Sequence, residues 1–237
     1  MSKVEIYKLL LENNICKFGD YKDGHNFNFN FHKLMSHPEI YIKVLENISG
    51  KVEKYYSNNN NDNNDNNDDN NSETETEESD GVNNMVFKRV ITTFAESYIF
   101  GCDIATSNNK GLMIPYLGNN FDCNNIKFPD VFDIDEPVLL VVHMLTEENC
   151  ENVVKIIKML ENYGAVVKGV LEIVSCNSGY DAPLILGRDN KYDIKSIFSI
   201  REICEYADNN NLVDSFYTEK FNFNAEVNTK KMAANFA

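Results

Sequence analysis

The sequence predicts an α/β fold with a mainly parallel sheet and helices on both faces, and three observations support this. Residues 138–142 form an unbroken apolar run rich in β-branched side chains, which is typical of a strand buried on both faces. Apolar residues then recur at helical spacing from Val153 to Leu160, and a second apolar run covers residues 165–174. Strand, helix and strand in this order form one βαβ unit, for which a right-handed crossover is expected.

The loop that leaves the first strand of this unit marks the expected ligand site, because loops at the carboxyl ends of parallel strands face the ligand. His143 lies in this loop and could act as a general base with a carboxylate partner such as Glu147 or Glu148. No motif fixes that geometry, so a structural histidine is the alternative. Cys150 could be a nucleophile at a helix N-terminus, but its acidic neighbours disfavour a thiolate.

The amino-terminal elements are predicted from local patterns. A short amphipathic helix is expected over residues 4–11, with Ser2 and Glu5 able to form a capping box. Residues 26–31 alternate Asn and Phe, which indicates a strand with one apolar face. Ser36 is expected to cap the next helix, which has a proline in its first turn.

A low-complexity tract divides the chain into segments. Residues 57–80 contain only Asn, Asp, Ser, Glu and Thr, and such a tract cannot bury apolar surface to offset the cost of ordering the backbone. We expect disorder here, either as an inert insertion or as an interaction or phosphorylation segment. The predicted organisation begins with an amino-terminal hood and helix at residues 1–56 and a disordered insert at 57–84. An α/β core follows at residues 85–220, and a flexible tail at 221–237.

The remaining elements surround the βαβ unit. The breakers in residues 118–137 indicate irregular structure. Ser199 is expected to cap the last helix, with Glu202 completing a capping box. The strand at residues 138–142 is expected to lie between residues 112–115 and 166–171. The other predicted elements are a strand at residues 86–93, a helix at 99–105, a strand at 111–117, and a closing strand and helix within 194–203.

Composition argues against several classes of function. The 237 residues carry a net charge of −15, which disfavours nonspecific binding to nucleic acid or to acidic membranes. No apolar run is long enough to span a bilayer and residues 1–10 hold no signal core, so a cytoplasmic protein is expected. The six cysteines are scattered without a C-x-x-C pair, which predicts reduced thiols and no metal site.

Several of these stretches resemble the type I phosphoribosyltransferases, and the orotate phosphoribosyltransferases in particular. Residues 18–21 (Phe-Gly-Asp-Tyr) and 22–24 (Lys-Asp-Gly) resemble the hood of those enzymes, with two residues fewer between the two parts. The strand at 138–142, Thr146 and the helix that follows resemble their ribose-phosphate loop. The resemblance implies a hood of amino- and carboxy-terminal segments, phosphoribosyl pyrophosphate or a nucleotide as ligand, and Mg²⁺ if the protein is active. It also implies a homodimer or pairing with a related subunit.

The same resemblance suggests roles by position. Lys22 matches a hood lysine that contacts pyrimidine or phosphate, and Lys127 matches a mobile-loop cation that neutralises departing pyrophosphate. Either lysine could instead be an ordinary surface residue. The positions of the phosphate- and ribose-binding loop hold His143, Thr146, Glu147, Glu148, Asn149 and Cys150, and those of the pyrophosphate loop hold Ala95, Glu96 and Ser97.

The chain departs from the family at the positions that carry the chemistry. Val142 and His143 stand where the family has an acidic pair, and two glutamates replace small residues of its phosphate-binding turn. The cations at the end of the second strand are missing from residues 116–118, and the carboxylate-binding arginine is missing from residues 175–179. These losses predict a pseudoenzyme. The alternative is an active orotate phosphoribosyltransferase that makes orotidine 5′-monophosphate from orotate and phosphoribosyl pyrophosphate in pyrimidine synthesis.

Deletion of residues 57–80 tests the expected insert. Because the tract has no apolar side chain to pack, the shortened protein should keep the melting temperature of the full chain to within a few degrees. Thermal melts of both proteins, followed by circular dichroism, measure the difference. A large fall in melting temperature would show that the tract packs against the core.

Overall fold

The computed structural model of this chain describes residues 2–21, 26–57, 86–118, 122–176, 192–217 and 219. The expected insert after Ser57 and the expected tail lie outside these residues. In chain order the elements are α1 (Lys3–Glu12), β1 (Cys16–Phe18), β2 (Phe27–Phe29), α2 (Phe31–Met35), α3 (Pro38–Tyr56), β3 (Arg89–Thr92), α4 (Ala95–Ser107), β4 (Gly111–Met113), β5 (Tyr116–Gly118), β6 (Asp122–Lys127), β7 (Glu136–Val142), α5 (Glu147–Asn162), β8 (Ala165–Ser175), β9 (Ile194–Ser199) and α6 (Ile200–Asn209).

The central sheet has five parallel strands in the order β4-β3-β7-β8-β9. The predicted parallel sheet is therefore confirmed. The expected neighbours of its middle strand were half right: β8 lies on one side of β7, but β3 and not the segment after Gly111 lies on the other. Sequential order misled here because β4 pairs with β3 on its outer edge.

Strand β7 is buried on both faces, as its unbroken apolar run predicts. All five residues from Val138 to Val142 are 0% exposed. Val138, Leu140 and Val142 belong to the core shared with α5, whereas Leu139 and Val141 belong to the core shared with α1, α3, α4 and α6. The strand thus joins the two layers of helices.

The connection from α5 to β8 follows the predicted helix stop. Helix α5 ends at Asn162, and Gly164 two residues later has a φ of +91°, a conformation that favours glycine. Close packing also requires a glycine in α4, where a Cβ on Gly101 would lie 1.9 Å from Thr92 Cγ2. That contact brings α4 directly onto β3.

The hood is formed by the antiparallel pair β1–β2 and by α1, which packs against α3 and α6. The Ser2–Glu5 capping box is present. Ser36 does not cap α3, because His37 holds that position and Ser36 ends α2 instead. Ser199 does precede α6, but its side chain makes no capping bond, and the Glu202 carboxylate that would complete the box bonds instead to Lys3 and Tyr7 across the hood.

The segment between β4 and β7 is more regular than its breakers indicated. The predicted strand over residues 111–117 is two strands, since β4 ends at Met113 and β5 pairs antiparallel with β6 in a separate sheet. Within the described part of residues 118–137, the irregular stretch is residues 128–135. No helix in the described ranges is long and apolar enough to cross a membrane.

Leu140→Ala tests the central position of β7. Leu140 lies between Ile91 of β3 and Val170 of β8, so the truncation leaves a cavity that neighbouring strands cannot fill. We expect the free energy of unfolding to fall by about 2–5 kcal/mol in urea titrations. Ile134→Ala is the matched control, because Ile134 is 90% exposed and its truncation should change stability by less than about 0.5 kcal/mol. Equal effects of the two changes would contradict this placement of β7.

Candidate functional site

The candidate site lies at the carboxyl ends of β3, β7 and β8. Parallel register brings Thr92, Val141 and Leu171 level with one another, and the residues that follow them leave the sheet at the same edge. The loop from His143 to Thr146 continues from β7 into α5 at this edge. Ligands of open parallel sheets bind at this kind of edge, which is where the βαβ unit predicts a ligand site.

A capping box closes the start of α5. Thr146 is the N-cap; its Oγ1 accepts a hydrogen bond from Asn149 N at 3.3 Å, and its own N–H donates to Asn149 Oδ1 at 2.8 Å. Asn149 Nδ2 also donates to the carbonyl of Met144 at 2.9 Å. The side chain of Asn149 thus fastens the loop to the first turn of the helix, and the two side chains of the box accept the main-chain N–H groups of Thr146 and Asn149.

A buried glutamate of the neighbouring strand β8 also bonds to this loop. Glu172 of β8 is 2% exposed, and its carboxylate accepts hydrogen bonds from Leu145 N at 2.7 Å and from Ser196 Oγ at 2.9 Å. Burial raises the pKa of Glu172 from an ordinary 4.5 to about 7, although the bonds from Leu145 and Ser196 oppose that rise. A third main-chain N–H of the loop is therefore bonded within the protein.

His143 is paired with Ser97 across the edge of the sheet. Ser97 Oγ accepts the main-chain N–H of His143 at 3.0 Å and lies 3.4 Å from His143 Nδ1. The imidazole ring lies edge to face with Phe31 and Phe94, at 5.3 and 5.6 Å between ring centres. Burial lowers the pKa of His143, and the charge of Glu96 only partly opposes this, so the surroundings favour the neutral ring.

The residues in the pyrophosphate-loop position form the first turn of α4 and not a loop. Ala95 is exposed, Glu96 is half-buried and Ser97 is fully buried. The fold thereby brings Ser97 to His143, two positions that the sequence places 46 residues apart. The nearby hydroxyls of Thr92 and Thr93 are buried and have no hydrogen-bond partner among the described residues.

Cys150 is a structural thiol and not a nucleophile. It is 1% exposed, and burial, with smaller effects from Glu172 and Glu151, raises its pKa to about 11. Cys16, Cys102, Cys150, Cys176 and Cys204 form no disulfide with a described residue. Cys150 contributes instead to the core beneath α5.

The other predicted site residues are dispersed. Lys22 lies outside the described residues. Lys127 is exposed at the end of β6, in register with Tyr116, and no hydrogen bond or ion pair joins its side chain to a described residue. Glu147 and Glu148 are the first two residues of α5, the end of a helix at which its dipole favours negative charge.

The residues at the end of β7 do not fit Mg²⁺. This ion requires oxygen ligands in near-octahedral geometry. Val142 has no side-chain oxygen, and His143 presents a neutral ring paired with Ser97. No group of three or more His, Cys, Asp or Glu that could hold a metal occurs in the ranges that the structure describes.

Sequence reasoning missed Glu172, whose buried carboxylate accepts the main-chain N–H of Leu145 in the loop. Its signal was a single acid inside the apolar run of residues 165–174, where an unpaired charge is rarely buried. The role of Ser196 had no local signal, since only the pairing of β8 with β9 brings its hydroxyl to that carboxylate.

Solved structures with this architecture come from phosphoribosyltransferases. UMP synthase from Leishmania donovani aligns with 95% of this chain at 16% identity and a TM-score of 0.64, and the chain spans 42% of that protein. Orotate phosphoribosyltransferase from Francisella tularensis aligns over 95% of this chain and 96% of its own, at 14% identity and a TM-score of 0.61. Adenine phosphoribosyltransferase from Thermoanaerobacter pseudethanolicus aligns over 84% and 100%, at 12% identity and a TM-score of 0.54.

These similarities confirm the predicted type I phosphoribosyltransferase fold, with its helices on both faces of the sheet. No protein-family model and no curated protein sequence matches the chain. Since proteins named for orotate and for adenine share the fold, it does not by itself specify a base.

Glu172→Gln tests the buried carboxylate. Because the pKa of Glu172 is higher in the folded than in the unfolded protein, ionisation of this carboxyl opposes folding. The contribution of the protonated carboxyl to the free energy of unfolding is therefore fully present below pH 4.5, and it is lost as pH rises through about 7. Gln stays neutral and can still accept from Leu145 N–H. Relative to wild type, the variant should therefore gain on the order of 2–3 kcal/mol in free energy of unfolding between pH 4.5 and 8.

Urea unfolding across this pH range measures the gain. Glu151→Gln is the matched control, because Glu151 is an exposed residue of α5. Its pH profile should follow that of the wild type. Parallel profiles of wild type and Glu172→Gln would show that Glu172 is not buried as described.

Proposed function

We propose that this protein is an orotate phosphoribosyltransferase-like pseudoenzyme, a phosphoribosyltransferase fold that no longer transfers phosphoribosyl groups. The observation that carries the proposal is the closed loop after β7. The main-chain N–H groups of Leu145, Thr146 and Asn149 all have acceptors within the protein. A 5′-phosphate would need such N–H donors free at the start of α5.

Charge supports the same proposal. The first two residues of α5 are Glu147 and Glu148. Negative charge at this end of a helix is favoured by the helix dipole, but it would oppose binding of a phosphate. Departure of pyrophosphate needs cations where negative charge accumulates. Lys127, the one predicted cation within the described residues, is an exposed residue with no bond that directs it to the loop.

The ribose would also lack its expected contacts. Resemblance to the family assigns the ribose hydroxyls to an acidic pair, but Val142 supplies no acceptor and His143 is neutral and paired with Ser97. Each lost contact could cost a few kcal/mol, and ~1.4 kcal/mol is about tenfold in rate. Several losses together would leave no measurable catalysis. The fold then remains as a scaffold for a partner subunit or a small ligand.

An active orotate phosphoribosyltransferase is the second candidate. It is favoured by Thr146, which holds the family's threonine position, and by alignment with the Francisella tularensis enzyme over 95% of this chain. Activity would require the capping box to open and Lys22 to supply a cation. Assembly as a homodimer or with a related subunit stays a prediction under either candidate.

The pseudoenzyme proposal predicts no orotidine 5′-monophosphate from the purified protein with orotate, phosphoribosyl pyrophosphate and Mg²⁺. It also predicts that Glu147→Thr with Glu148→Gly strengthens binding of phosphoribosyl pyrophosphate by at least about tenfold, because two charges leave the turn. Calorimetric titration measures this binding. Glu151→Thr is the matched control, since it removes a charge from α5 beyond the turn.

Two results would contradict the proposal. Robust turnover by the wild type that is lost on Lys22→Ala or Lys127→Ala would establish the active enzyme. Tight binding of phosphoribosyl pyrophosphate by the wild type, unchanged in the double variant, would show that Glu147 and Glu148 do not obstruct the loop.

A further inference from the structure

A second surface lies at the opposite edge of the sheet from the candidate site. Residues 128–135, here called the acidic–apolar loop, run into the start of β7. Val131 and Ile134 in this loop are 79% and 90% exposed, the two highest exposures among the large hydrophobic residues that the structure describes. Exposed apolar side chains that lie close together mark interaction sites more often than single ones do.

The backbone of this loop is held firmly. Arg89 bonds to Glu136 Oε1 at 2.7 Å and to Asp130 Oδ2 at 3.2 Å. The N–H of Asp133 donates to Glu136 Oε2 at 3.0 Å, and the N–H of Asp135 donates to the carbonyl of Gly164 at 2.8 Å. Glu136 is 3% exposed, so its bonds to Arg89 and Asp133 are shielded from solvent, whereas Asp130 meets Arg89 at the surface.

The aromatic residues of the loop face inward. Phe128 lies 5.3 Å from Phe132 and 5.2 Å from Tyr163 between ring centres, and the Arg89 guanidinium lies 5.4 Å from the Phe132 ring centre. The loop therefore has a fixed inner side, and Val131 and Ile134 are the residues that this arrangement turns to solvent. Because the backbone that carries Val131 and Ile134 is already held in place, little conformational entropy of the loop would be lost when a partner binds.

Charge selects the kind of partner. Asp130, Asp133 and Asp135 are exposed and alternate with the apolar residues of the loop. We propose that the acidic–apolar loop docks a partner segment in which apolar side chains are flanked by Lys or Arg. The apolar side chains would pack on Val131 and Ile134, and the flanking cations would meet the aspartates.

A second copy of this chain is a poorer occupant. Two copies joined about a twofold axis at this surface would face the three aspartates of one loop with those of the other, and like charges across an interface oppose association. The whole chain carries a net charge of −15, which adds to that repulsion. The surface is also small, so a weak and reversible contact is expected.

The test uses the full chain and a synthetic peptide, Lys-Lys-Leu-Leu-Lys-Lys. Two matched peptides replace its leucines with serine or its lysines with glutamate. We expect the first peptide to shift the amide resonances of residues 128–135 and 163–164. We also expect it to bind at least about tenfold more tightly in calorimetry than either matched peptide.

Variants locate the contact. Val131→Ser with Ile134→Ser should weaken binding of the leucine peptide by at least about tenfold, and Asp133→Asn with Asp135→Asn should weaken it and reduce its salt dependence. Ile42→Ser is the matched control, because Ile42 is 54% exposed on α3 on the other side of the sheet. Equal binding of the serine peptide, or unchanged binding by the Val131/Ile134 variant, would overturn the proposal. A wild-type dimer that Ile134→Ser dissociates in sedimentation would assign the surface to a second copy.

Discussion

The burial of β7 on both faces is the constraint on which the rest of the structure depends. Alternate residues of a strand point to opposite faces, so Leu139 and Leu140 enter different cores although they are only about 3.3 Å apart along the strand. A shift of one residue would exchange the two cores. This register fixes where β7 ends, and it therefore fixes the position of His143 and the loop that follows. The position of the candidate site is thus set by the packing of β7 in the two cores, and not by the residues of the site itself.

Hydrogen bonding then decides what that location can bind. A phosphate-binding loop must leave N–H donors without protein acceptors, which is a cost to the stability of the free protein. In this chain the capping box of Thr146 and Asn149 and the carboxylate of Glu172 provide those acceptors. The loop is consequently more stable without a ligand than an open cradle would be. The same bonds that stabilise it compete directly with a phosphate.

Sequence patterns predicted the features that depend on local spacing. The parallel sheet, the buried strand β7, helix α5 with its end near Gly164, and the Ser2–Glu5 capping box all follow from periodicity or from single turns. The neighbour of β7 and the partners of Ser36 and Glu202 were not predicted, because each depends on residues distant in the chain. The candidate site shows the same division. The edge of the sheet at which it lies follows from the βαβ pattern, but the pairs Ser97–His143 and Leu145–Glu172 join residues distant in the chain and were not predicted.

The two ends of β7 show how one strand can separate two kinds of surface. At its carboxyl end the main-chain N–H groups of His143, Leu145, Thr146 and Asn149 all have acceptors within the protein. At its amino end the buried pair of Arg89 and Glu136 uses its bonds to hold the acidic–apolar loop in a shape that exposes Val131 and Ile134. A change at one edge leaves the other undisturbed, because the rigid strand between them belongs to both cores. One strand can therefore carry a loop whose main-chain donors are bonded at one end and a loop with exposed apolar residues at the other.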